Sequence, residues 1–108
     1  MAETVEALLR AVLSVTGRQA FPQDRLIEIV LFKGAGEKQL RAFNMCDGAK
    51  GQAEIAKALK IDRGNFSRTV SRWIDEGIVF RLGEGRDAKL LHVYALPEGV
   101  TKTRGRRK

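Results

Sequence analysis

Between residues 63 and 72 the chain reads Arg-Gly-Asn-Phe-Ser-Arg-Thr-Val-Ser-Arg, three guanidinium groups with an amide and short hydroxyl side chains between them. No acid follows until Asp75. A guanidinium fork matches the O6 and N7 acceptors of guanine, and an asparagine amide matches adenine N6 and N7. Serine hydroxyls and helix N–H groups suit phosphate oxygens. A helix face that meets only water commonly mixes Glu with Lys at i,i+4 spacing, and this one does not. Arg63, Asn65, Ser67, Arg68, Ser71 and Arg72 are therefore the candidate nucleic-acid contacts, with Gly64 leaving room for close approach. Phe66, Val70 and Trp73, at steps of four and three, mark the opposite face. Those rings could stack on bases, but their spacing is that of a core stripe.

These residues need a helix, and its signals are present. Asp62 suits an N-cap, because its carboxylate can accept from free N–H groups of the next turn. Gly77 stands where a helix end wants positive φ, which predicts a helix from Arg63 to Glu76. Before it, Gln52 to Leu59 reads as a short helix with Ile55, Ala56 and Leu59 on one side, joined through Lys60-Ile61. After it, Ile78–Leu82 and Leu90–Ala95 read as strands around a glycine-bearing tip, Gly83–Lys89.

The earlier part of the chain is helical by pattern. Thr4–Val15 carries one apolar stripe, Val5, Leu8, Leu9, Val12 and Leu13, with Gly17 as the expected stop. Pro22 fits a first helical position, and Pro22–Phe32 is apolar enough for a buried helix or a strand; helix is the reading taken. Gly34-Ala35-Gly36 breaks the pattern, Glu37–Cys46 resumes it with Leu40 and Phe43 inward, and Asp47-Gly48 makes a turn. Pro97 and Gly99 are expected to close the fold. The expected class is mainly α with a small β-hairpin, ordered as a helix-turn-helix followed by a wing, with additional N-terminal helices. A single domain is expected over 1–100, with N-terminal helices in 1–33, a core in 37–96 and a basic mobile tail at 101–108.

The run Gln-Ala-Glu-Ile-Ala-Lys-Ala-Leu-Lys-Ile at 52–61, the Ser67-Arg68 pair and the Glu-Gly-Ile-Val exit at 76–79 resemble the winged helix-turn-helix of MarR- and ArsR-type regulators. The resemblance covers about residues 37–96. It implies that Arg63–Glu76 is the recognition helix, that Arg86 lies near the wing tip, and that the protein is a homodimeric transcription regulator, often a repressor. The chain departs from the MarR pattern in having no helices after the wing, and the metal-binding cysteines of the ArsR type are absent. A dimer would then have to form through Thr4–Val15 and Pro22–Phe32.

Charge is distributed to match. Residues 1–49 hold six basic and six acidic residues, so the whole net charge of +7 lies in the second half. Thr101–Lys108 contributes five cations and no acid, and Arg104, Arg106 and Arg107 there are candidate backbone contacts through counterion release. The tip offers Arg86 and Lys89, offset by Glu84 and Asp87, so a plain surface hairpin competes with phosphate contact there. His92 is the single histidine and Cys46 the single cysteine, which supports neither a metal site nor a nucleophilic triad. No enzyme activity, no cofactor and no metal are expected. No apolar run reaches the ~20 residues of a membrane span, and the acidic start, Glu3 and Glu6, is unlike a signal peptide. The expected setting is cytoplasmic, nucleoid-associated when bound, with double-stranded DNA as partner. Two other readings stand beside this one: a nucleic-acid module without site preference (architectural, replication or RNA-associated), and a protein-interaction winged helix.

Overall fold

The computed structural model describes residues 2–31 and 36–98. Five α-helices precede a two-stranded antiparallel hairpin, so the chain is mainly helical with a small sheet. The helices are α1 (Ala2–Ala20), α2 (Gln23–Val30), α3 (Glu37–Asn44), α4 (Gln52–Leu59) and α5 (Arg63–Asp75). The strands are β1 (Val79–Leu82) and β2 (Lys89–His92), paired with Phe80 opposite Leu91, and one 3-10 turn, Gly85–Asp87, lies between them.

Three aromatic rings centre the core. Trp73 of α5 meets Phe43 of α3 edge-on at 5.4 Å and Phe66 of its own helix at 6.1 Å. All three are buried, together with Leu26 and Val30 of α2, Ile55 of α4 and Leu90 of β2. Each element thus presents an apolar face to one shared interior, and the inward set expected for α5 is the one found.

Both ends of α5 are set by local chemistry. Asp62 Oδ2 accepts from the Asn65 N–H at 2.9 Å. At the other end Gly77 sits at φ +84°, its N–H donating to Ile74 O while the Ile78 N–H reaches Trp73 O, the paired bonds of a left-handed helix stop. The same pair of bonds closes α4, with Lys60 rather than glycine in the left-handed position at φ 55°. That turn makes the connection between α4 and α5 short.

Three expectations need correction. First, α1 does not stop at Gly17. It runs to Ala20, with Gly17 buried where the helix crosses the chain after β2; a Cβ on Gly17 would lie 2.8 Å from Val93 Cβ. The glycine is there for close approach, not for termination. Second, the α1 stripe divides: Leu13 packs against the core, while Val5, Leu8, Leu9 and Val12 face solvent. Third, Asp47-Gly48 is more than a turn. Gly48 N–H donates to Leu90 O, Leu90 N–H to Lys50 O and His92 N–H to Cys46 O, so residues 46–50 line the free edge of β2.

The strands are shorter than the sequence suggests, because the chain after His92 turns into the core. Tyr94 donates its hydroxyl to Phe21 O at 2.6 Å, and the Arg18 guanidinium lies 4.3 Å from its ring centre. Asn44 then holds Leu96 through both its amide nitrogen and oxygen, at 2.9 and 2.8 Å. Phe32, Gly34 and Ala35, Gly99 and the Thr101–Lys108 tail lie outside the described residues. Among the described residues, no helix is long and apolar enough to cross a membrane.

His92 makes stability depend on pH. Its ring packs 5.3 Å from that of Phe43, and its Nδ1 is buried with no partner among the described residues. Burial lowers its pKa from the ordinary value of about 6.5. The unfolded chain therefore binds this proton at a pH where the folded chain does not. Stability is fully present above the unfolded value and is lost as pH falls through the folded one. Urea unfolding at pH 7.5 and pH 5 is expected to give a lower midpoint at pH 5 for the parent and a smaller difference for His92→Gln. Asp47, held below the ordinary carboxylate range by its hydrogen bond from Lys50, loses its contribution only at lower pH. Equal losses in parent and variant would remove His92 as the cause.

Candidate nucleic-acid interface

The outward face of α5 follows from its inward one. With Phe66, Val70 and Trp73 turned into the core, the helix period leaves Arg63, Asn65, Ser67, Arg68 and Ser71 exposed. The Asp62 cap fixes the start of this face. It also engages the Asn65 backbone N–H, so the amide of that residue stands at a defined position in the first turn.

Arg68 Nη2 donates to Asn65 Oδ1, one turn back, and its guanidinium lies over the first turn beside Gly64. A guanidinium and an amide are thus held side by side on an exposed surface. An open depression continues along the helix, lined by Ser67, Arg68, Ser71, Arg72, Asp75 and Glu76. Its cationic end is the N-terminal one, where the helix dipole also favours an anion.

Arg72 departs from the sequence expectation. It is only partly exposed, and its Nη1 donates to the Ile29 carbonyl at 2.6 Å. The physical reason is local: Ile29 belongs to the last turn of α2, whose carbonyls lack intrahelical N–H donors and attract a cation. Burial pushes the guanidinium pKa down, with Glu76 opposing, and the group stays charged. Arg72 ties α5 to α2 and does not project from the face as Arg63 and Arg68 do.

The hairpin contributes less. Lys89 is half-buried at the start of β2. The backbone of Arg86 lies in the 3-10 turn, while its side chain is outside the described part, as are Arg104, Arg106 and Arg107. Sequence reasoning passed over Lys57 and Lys60, both exposed at the end of α4 just before the α5 cap. The available signal was that Lys57, Lys60 and Arg63 follow one another at steps of three.

Cys46 belongs to the core. It is fully buried, its Sγ donates to Ala42 O at 3.4 Å, and burial with the Asp47 charge pushes its pKa up to about 12. Comparison of the chain with protein-family models, with curated proteins and with solved structures finds no match.

Proposed function

We propose that the chain is a sequence-specific double-stranded DNA-binding protein, a homodimeric transcription regulator in which α4 and α5 act as a helix-turn-helix and the β1–β2 hairpin as a wing. In this reading α5 enters the major groove. The carrying observation is the acid-free exposed face of Arg63, Asn65, Ser67, Arg68 and Ser71 on a helix whose other face is locked into the core. Arg63 and the Asn65–Arg68 pair are the base-reading groups, and Ser67 and Ser71 hold phosphates. Arg72 acts indirectly, fixing how far α5 stands out from α2. Occupancy of a promoter is enough to block it, which makes repression the simpler outcome.

The test is selection of bound sequences from random duplex with the full chain, followed by titration of the selected site. Arg68→Ala is expected to weaken binding about ten- to hundredfold, corresponding to the ~1–3 kcal/mol of one good base contact, with little change in melting temperature. Arg72→Ala is expected to lower the melting temperature. Selection that returns no preferred sequence, or unchanged affinity in Arg68→Ala, would overturn the reading.

A second reading is favoured by the five cations of Thr101–Lys108: affinity without site preference, carried by the tail. It predicts a steep salt dependence that falls when the tail is removed.

A further inference from the structure

One apolar stripe along the first turns of α1 is uncovered among the described residues. Val5, Leu8, Leu9, Val12 and Val15 are 51%, 62%, 64%, 60% and 60% exposed, and Gly17 is the one buried residue of the helix. On a helical period these five share one stripe, turned away from the side on which Leu13 and Gly17 meet the body. They expose on the order of 500 Å² of apolar surface, a large patch for a monomer, and two copies would bury at most about 1,000 Å², the threshold a specific interface must reach. α2 cannot share this task, because Leu26, Ile27, Ile29 and Val30 are buried in the core.

The stripe carries no charge, and the two charged residues beside it, Glu6 and Arg10, face each other at 4.0 Å. Arg10 also donates to Asp47 O at 3.1 Å, which turns it toward the body. A polyanion finds nothing to bind there, and an anionic lipid surface would need the Lys- and Arg-rich polar face that α1 lacks. What the stripe does match is itself. Residues 5–12 read Val-Glu-Ala-Leu-Leu-Arg-Ala-Val, and the valines and leucines are symmetric about the Leu8–Leu9 bond.

We propose that α1 pairs antiparallel with α1 of a second copy about a two-fold axis through that bond. Each residue then meets the one equally far on the other side: Leu8 meets Leu9, Val5 meets Val12 and Val15 meets Ala2, which is the self-complementarity an isologous interface requires. The stripe faces away from the side on which Gly17 and Arg10 meet the body, so the body does not stand between the two helices. A parallel pair would bring the positive N-terminal ends of both helices together and leave Leu9 at the flank. The pairing rests on the homodimer of the proposed function but is independent of DNA recognition.

The experiment uses the full chain without DNA. Sedimentation is expected to give a dimer at tens of micromolar, and Leu8→Glu is expected to raise the dissociation constant at least tenfold with unchanged circular dichroism. Under mild oxidation, Val5→Cys chains mixed with Val12→Cys chains are expected to cross-link. Val5→Cys alone is not, because its two copies stand about 10 Å apart along the axis, beyond disulfide reach. The parent is the control for buried Cys46. A parent that stays monomeric at 100 µM, a Leu8→Glu chain that still dimerises, cross-linking by Val5→Cys alone, or association with anionic vesicles in place of a second copy would each overturn the pairing. A monomer that still selects a duplex would do so while leaving DNA recognition standing.

Discussion

Trp73→Ala is expected to destabilise the fold by about 3–5 kcal/mol, the cost of emptying a large aromatic site in a packed core. The ring is fully buried and meets Phe43 of α3 and Phe66 of α5 edge-on, so two helices lose a shared neighbour at once. A small domain holds about 5–15 kcal/mol in all, so this one change removes a large part of it. Trp73→Phe is expected to cost much less. It keeps a ring at the site and removes an indole N–H that is buried without an acceptor among the described residues. Urea unfolding followed by circular dichroism measures both, since Trp73 is the single tryptophan and fluorescence is lost with it. A cost below about 1 kcal/mol for Trp73→Ala would mean that α5 is not seated on this ring. The orientation of Arg63, Asn65 and Arg68 would then lose its basis.

The second large effect is expected at Gly17. Helix propensity alone favours a side chain there by about 1 kcal/mol. The Val93 Cβ stands only 2.8 Å from where a new Cβ would be placed, in a site with no room on that side. Gly17→Val is therefore expected to cost about 3 kcal/mol or more, by forcing α1 off the chain that follows β2. Gly17→Ala is expected to cost less, and Val93→Gly, which removes the clashing Cβ itself, is expected to relieve part of the cost of either change. The double variant should be more stable than the sum of the single effects allows, which thermal unfolding of the four proteins reads as a coupling. Strict additivity would mean the two residues do not touch.

These two sites mark where the sequence was readable and where it was not. The Phe66, Val70 and Trp73 spacing, the Asp62 cap and the Gly77 stop are local signals. Each depends on neighbours within a few residues, and each predicted what the structure contains. Gly17 reads locally as a breaker, and only its contact with Val93, far along the chain, makes it an interior packing residue. The strand-like segment at 46–50 is hidden for the same reason, since the bonds that give it strand character are made to Leu90 and His92 of β2. Among the site residues, Arg63, Asn65 and Arg68 have the exposure their spacing implied. The bond that draws Arg72 inward spans 43 positions and ends on a backbone carbonyl, which no side-chain pattern announces.

Residues 46–50 cover one border of the hairpin, and among the described residues the other border is left uncovered. That side is β1, where Phe80 and Leu82, each 38% exposed, flank Arg81. An incoming strand from another molecule that added at this margin would have to accommodate a guanidinium in the middle of four residues. A charge at that position disfavours sheet growth along β1.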